Sequence, residues 1–300
     1  MHQRVNVGVF ASPERVAANV GRVVAHLGSV GVPVPVPVAA VDAGCDAFAR
    51  DREGGLWRAY HYVDGTTVSR FLTLAQAGQA AGAFARLAAA LEGLPGPPLI
   101  EPIRGFHDFD ARLGAFERAV AADAVGRAAD CRQEIAAVRA ASTLVTELSG
   151  AHAAGRLPVR TVHNDAKADN LVFGDDGTVV AVLDLDTVAP GTVLFDVGDL
   201  VRSGAATSSE DGDPAEVDVD AQVAAAIVAA YAEAVPGWLT DGERELLPLA
   251  GPLMTFEASL RFLTDHLDGD RYFRVDAPGR NLARARAQLA LLDRLQAMRQ

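Results

Sequence analysis

Apolar residues follow two rhythms along this chain. Up to about residue 64 they fall mostly in short extended runs. Residues 3–10 alternate as a strand does, "VPVPVPVAAV" is held extended because each residue before a proline is pushed out of the helical region, and "LWRAYHYVDG" reads as a strand closed by Asp64-Gly65. One helix interrupts them, "SPERVAANVGRVVAHLG", with Ser12 as N-cap, Pro13 at the first helical position and Gly28 at the end. Farther on, Ala- and Leu-rich blocks at helical spacing predict helices over 74–93, 110–121, 126–149, 221–235 and 281–299, with "LPGPP" as a connector after the first. No internal repeat is present.

One stretch breaks the helical half with period-2 patterning. In "NLVFGDDGTVVAVLDLD" two β-rich runs flank Asp176-Gly177, a strong hairpin signal. A turn at those two residues sets Asn170 opposite Leu183, so Asp184 lies beside Asn170 at the open end. The loop just upstream, "TVHNDAKADN", is carried to the same place.

Composition narrows the field. Of 300 residues, half are hydrophobic and 22% are charged, as expected of a globular enzyme, and the net charge of −12 argues against nucleic acid as a partner. The arginines of 281–299 share their helix with Leu and Ala and are expected on a solvated face. Cys45 and Cys131 fit neither a metal spacing nor a disulfide scaffold. No apolar run of about 18 residues and no leader pattern is found, so the chain reads as cytoplasmic with no membrane partner.

The 27 Lys and Arg include a single lysine, Lys167. It sits in His163-x-Asp165-x-Lys167-x-x-Asn170, with Asp184 after the hairpin, an order that repeats the catalytic loop and metal-binding aspartate of kinases. Phosphoryl transfer needs a base near the acceptor hydroxyl, oxygen ligands for Mg²⁺ and a cation facing the transferred group. Asp165 suits the first role, Asn170 and Asp184 the second and Lys167 the third, its compact ammonium fitting where a guanidinium fork would not. His163 reads as a hydrogen-bonding support for the loop. In "LFDVGDLVR", Asp196, Asp199 and Arg202 are either the acidic first turn of a helix or a brace for the catalytic loop. "SSEDGDPAEVDVD" (208–220) lacks a full calcium-ligand ladder and reads as a mobile acidic loop. A rival reading takes "VVAVLDLDTV" as the first strand of a haloacid-dehalogenase-type phosphatase. That chemistry needs a lysine after the nucleophile, and the one lysine precedes it.

The run "HNDAKADNLVF…VLDLDTVAPGTVLFDVGDLVR" resembles the phosphotransferases that include aminoglycoside phosphotransferases and choline kinases. "QRVNVGVF", "GFHDFDARL", "RFLTDHLDGDRYF" and "NLARARAQLALL" extend the likeness over about residues 3–295 and bring it nearest to N-acetylhexosamine 1-kinases. The resemblance implies an α+β, protein-kinase-like bilobal fold, with ATP and Mg²⁺ as cofactors and a small sugar or amino-sugar acceptor phosphorylated at its anomeric hydroxyl. An aminoglycoside or amino alcohol is the alternative acceptor. It makes Asp165 the base, Asn170 and Asp184 the magnesium ligands, and Arg261 and Tyr272 the sugar-contacting pair. Against the family pattern the small lobe (1–64) lacks two strands, a phosphate-covering loop and a lysine, for which Arg4 is the expected substitute. Residues 65–300 form the helical large lobe. A shortened relative that binds without turnover is the non-enzymatic option.

Overall fold

The computed structural model describes residues 1–40 and 48–299; Cys45 lies outside them. The extended N-terminal runs become an antiparallel sheet of order β1-β4-β2, from β1 (His2–Arg4), β2 (Pro37–Val38) and β4 (Leu56–Tyr60), with β3 (Ala49–Arg50) pairing the start of β4. β1 is shorter than its alternation predicts. The Asn6 side chain accepts from Gly8 N at 3.0 Å and its carbonyl from Val9 and Phe10, so an Asx turn ends the strand. Helix α1 (Pro13–Ser29) starts at Pro13 as expected, although the Ser12 hydroxyl makes no capping bond. Val5, Phe48 and Leu56 form a small core under the sheet, with Phe10 and Ala17 packed against it.

Gly65 leads out of this sheet with φ 143°, and a Cβ there would strike the Phe173 carbonyl. That close approach lets Thr66 and Phe173 exchange backbone hydrogen bonds of 2.9 and 2.8 Å, which ties the connecting strand to the hairpin.

The rest is mainly helical: α2 (Leu74–Leu91), α3 (Phe109–Ala122), α4 (Arg132–Ala141), α5 (Thr143–Ala153), α6 (Val193–Gly204), α7 (Ala221–Glu233), α8 (Asp241–Leu267) and α9 (Arg280–Ala297). The helix expected over 126–149 is two, broken at Ser142, whose hydroxyl donates to the Arg139 carbonyl at 2.7 Å. The spine of the large lobe is α8, opened by a capping box of Thr240 and Glu243. Helical periodicity does not reveal it because Pro248 and Pro252 interrupt its 27 residues. Both are accommodated because α8 is buried along most of its length, where packing outweighs two missing backbone donors. Gly198 of α6 faces α8 so closely that a Cβ would overlap the Ala250 carbonyl.

Between these helices lie two small antiparallel pairs, β5 (Arg160–Val162) with β8 (Ala189–Gly191) and β6 (Leu171–Phe173) with β7 (Val179–Val182). All strand pairs among the described residues are antiparallel, which removes the parallel framework a haloacid-dehalogenase phosphatase requires. The hairpin turn differs from expectation. Gly174 and Gly177 close a turn around Asp175-Asp176, with Gly177 left-handed at φ 78° and Gly174 N bonded to Thr178 O. A β-bulge between Val172 and Phe173 absorbs the offset, so Leu171 still pairs with Val182, and Leu183 N donates to Asn170 O at 2.8 Å.

The acidic stretch 208–220 is ion-paired in place: Glu210 meets Arg202 and Arg284, and Asp211 meets Arg280. The arginines of α9 are therefore partners of that loop rather than a purely solvated face. No helix among the described residues is long and apolar enough to cross a membrane.

Candidate active site

The loop after β5 is held from below by one carboxylate. Asp196, fully buried in the first turn of α6, accepts His163 N at 3.0 Å and Asn164 N at 2.8 Å. Burial pushes its carboxyl up to about 6. The His163 ring donates from Nε2 to the Leu183 carbonyl at 2.8 Å, which couples the loop to the residue before Asp184. Asn164 is left-handed, φ 64°, and its side-chain amide spans the Thr187 and Ala189 carbonyls. Asp184 is left-handed too, at φ 52°. Two non-glycine residues in this sparsely allowed region flank the candidate reaction centre, where such strain is commonly concentrated.

The four residues singled out by the sequence converge here. Lys167 Nζ is 3.1 Å from Asp165 Oδ2. Burial lowers the Lys167 ammonium, but Asp165, Asp169 and Asp199 outweigh it and raise it above its ordinary value, so it is a permanent cation. Asn170 donates from Nδ2 to the Asp165 carbonyl at 2.8 Å. A carbonyl only accepts, so this bond fixes the amide and leaves Asn170 Oδ1 as a free oxygen. Asn170 and Asp184 line one cleft of about 190 Å³ between the sheet and the hairpin, with Gln3, Arg58, Tyr60 and Leu185. The Asp184 carboxyl is pushed up to about 6 by burial and by the neighbouring charges of Asp186 and Asp165. A divalent cation would relieve that repulsion. One amide oxygen and one carboxylate are the hard donors Mg²⁺ takes when phosphates and water complete its octahedron, so this donor set fits the ion.

The small-lobe cation in the cleft is not the expected one. Gln3 and Arg58 pair across β1 and β4 and face Asn170 and Asp184, whereas Arg4 pairs with Trp57 on the opposite face and lies near Gly55. Side chains alternate along a strand, so adjacent Gln3 and Arg4 cannot both face the cleft. Arg58 donates to both oxygens of buried Asp186 and to Gln3 Oε1. Arg58 and Asp186 were legible only as an ordinary strand cation and the second acid of "LDLD".

On the other side of Asp165, Arg261 of α8 lines the same small cavity, together with His107, Asp199, Arg202 and Glu257. The Arg261 guanidinium lies over the rings of Phe106, Tyr272 and Phe273 at 5.0, 5.7 and 5.4 Å from their centroids. Arg261 and Tyr272 also line an adjoining cavity of about 220 Å³, so the structure brings that pair together near Asp165. Buried Asp265 positions Tyr272 by accepting the backbone N–H groups of Arg271, Tyr272 and Phe273 at 2.8–2.9 Å. Sequence reasoning passed over His107, Glu257 and Asp265. The signal for Glu257 was a lone acid inside the apolar run "PLMTFEASLRFL".

Residues 9–245 match the phosphotransferase enzyme family, APH. The chain belongs to that family. It is an enzyme that transfers a phosphoryl group to an alcohol acceptor. The fold is shared with solved structures at low identity. An aminoglycoside phosphotransferase from Alicyclobacillus acidocaldarius is 14% identical, with a TM-score of 0.56 over 99% of this chain and 86% of that one. Choline kinase LicA from Streptococcus pneumoniae is 11% identical, with a TM-score of 0.55 over 99% and 85%. An ADP-bound aminoglycoside phosphotransferase, APH(2'')-Ib, is 10% identical, with a TM-score of 0.52 over 98% and 94%.

Proposed function

We propose that this phosphotransferase moves the γ-phosphoryl group of ATP, with Mg²⁺, onto a hydroxyl of a neutral sugar, an N-acetylated hexosamine at its anomeric position. One observation carries the choice of acceptor. The space beyond Asp165 is lined by Arg112, Arg202, Arg261 and His107, with Lys167 alongside, against Asp199, Glu257, Asp265 and Asp268. Asp199 is already paired with Arg202 at 2.8 Å, Glu257 with His107 at 2.7 Å, and Asp265 accepts three backbone N–H groups, which leaves Arg112 and Arg261 facing Asp268. Such a site disfavours a cationic amino alcohol or aminoglycoside and accepts a neutral sugar. The ADP-bound relative supports an adenine nucleotide in the cleft.

In this reading residues 1–64 form the small lobe and 65–300 the large lobe. Asp165 takes the acceptor's proton as the hydroxyl attacks in line. Lys167 faces the charge that builds on the transferred group. Asn170 and Asp184 would hold magnesium, which bridges the phosphates and neutralises their charge when bound. Asp196 and His163 keep the base in place. Arg261 and Tyr272 offer the sugar a cationic, aromatic wall.

An assay of ATP consumption with Mg²⁺ tests this, run against N-acetylglucosamine, N-acetylgalactosamine, choline, aminopropanol and kanamycin, with Asp165→Asn as control. Turnover confined to the N-acetylated sugars is expected. Preferential turnover of a cationic acceptor would replace the acceptor assignment.

A further inference from the structure

Glu257 is buried at the heart of α8, 1% exposed, and only one of its carboxylate oxygens has a hydrogen-bonding partner. Oε2 is 2.7 Å from His107 Nδ1. The other His107 nitrogen, Nε2, is 2.9 Å from the Asn164 carbonyl, which can only accept. His107 therefore donates from Nε2 to the catalytic loop and meets a carboxylate at Nδ1, which anchors Glu257 to the residue next to Asp165. Oε1 makes no hydrogen bond; its nearest cation, Arg112 Nε, is 4.0 Å away. Arg261 Nε is likewise buried without a partner. Both residues line a cavity of about 50 Å³ shared with Asp165, room for one hydroxyl-sized group.

A buried carboxylate oxygen left unpaired costs free energy, and so does a buried N–H without an acceptor. Placed within reach of the base, they form a matched acceptor and donor that the protein itself leaves open. We infer that Glu257 is a specificity-determining residue: its free oxygen accepts a hydrogen bond from a second hydroxyl of the acceptor, while Arg261 Nε donates to an oxygen of the same molecule. The pairing of Glu257 with His107 cancels its charge, so the subsite selects a neutral hydroxyl over an ammonium. This inference rests on the small-molecule kinase reading and adds the group that reads the acceptor.

The test uses the full chain, with N-acetylglucosamine and its 3-, 4- and 6-deoxy analogues as acceptors. If the wild-type enzyme turns over kanamycin instead, its own deoxy analogues are used; turnover confined to choline or aminopropanol, which have no second hydroxyl, would overturn the inference. In the wild type, one deoxy analogue should lose roughly 10- to 100-fold in kcat/KM, the effect of removing a hydrogen bond to a charged group. Glu257→Gln should raise the KM of the parent acceptor by a similar factor with a smaller change in kcat, and should no longer distinguish that analogue from the parent. Glu257→Asp keeps the charge but shortens the reach, and should show the same loss of discrimination. The wild-type analogue series needs no variant to fold, so it stands even if both substitutions destabilise the chain. Equal kcat/KM for all analogues in the wild type would overturn the inference and leave the kinase reading intact, as would a Glu257→Gln enzyme that keeps wild-type discrimination. Turnover of no acceptor at all would overturn both.

Discussion

Arg58 of β4 and Asp186, two residues beyond Asp184, form a buried two-pronged ion pair across the cleft. The pair joins the N-terminal sheet to the turn that presents Asp184, so one contact sets both the opening of the cleft and the placement of a proposed metal ligand. Breaking a buried pair from one side strands the other charge. Arg58→Met should therefore cost about 3–5 kcal/mol in urea unfolding and raise the KM for ATP more than that for the acceptor. An unchanged unfolding midpoint would mean that Asp186 finds water or another partner.

Lys167 and Asp165 share an ion pair of 3.1 Å. Lys167→Arg keeps the charge but replaces a point ammonium with a broad fork. We expect kcat to fall at least tenfold with little change in the KM for ATP, and Asp165→Asn to lose about 10²–10⁴ in kcat. Steady-state kinetics decide it. Wild-type turnover in the Lys167→Arg enzyme removes the steric argument for the single lysine.

Asp196 holds two backbone donors, His163 N and Asn164 N, of the loop proposed to be catalytic. Asp196→Ala leaves both N–H groups buried and unpaired, at roughly 1–3 kcal/mol each. The loss should appear in chemical denaturation at neutral pH, together with a collapse of kcat. A stable but inactive variant would show instead that this carboxylate orders the loop without supporting the fold.

How much of this was legible depended on range. The open end of the hairpin was readable because Leu171–Val182 pairing is set by strand alternation and one glycine-bearing turn, although the turn itself is a residue longer and a bulge restores the register. Asp165, Lys167, Asn170 and Asp184 came with it because all lie within 20 residues. Tertiary pairs were not legible: Arg58 with Asp186 spans 128 positions and His107 with Glu257 spans 150. Only the lone acid in an apolar run marks Glu257, and nothing local marks which residue it pairs with. Arg4 was misplaced for a different reason, since choosing between adjacent strand residues needs the register of β1 on β4. Helix α8 was hidden by two prolines that only its packing tolerates.

If Asp184 is a magnesium ligand as proposed, stability and metal affinity should depend on pH in opposite directions. Asp184 has its carboxyl pushed up to about 6, against about 3.9 for an unfolded aspartate. A raised folded value means the native state binds the proton more tightly than the unfolded chain. In metal-free protein the stability from this group is fully present below about pH 4 and is lost as the pH rises through 6, a swing of about 3 kcal/mol. Magnesium requires the deprotonated carboxylate, so stabilisation by Mg²⁺–ADP should be small at pH 5 and large at pH 7.5, opposing the metal-free trend. Asp196, also raised, follows the metal-free trend alone and adds to it. Thermal melts of wild type and Asp184→Asn, in EDTA and in Mg²⁺–ADP at the two pH values, separate the contributions. The variant should lose the magnesium response and part of the metal-free slope. A magnesium shift of the same size at pH 5 and 7.5 in the wild type would mean that Asp184 is not the ligand whose proton the metal displaces.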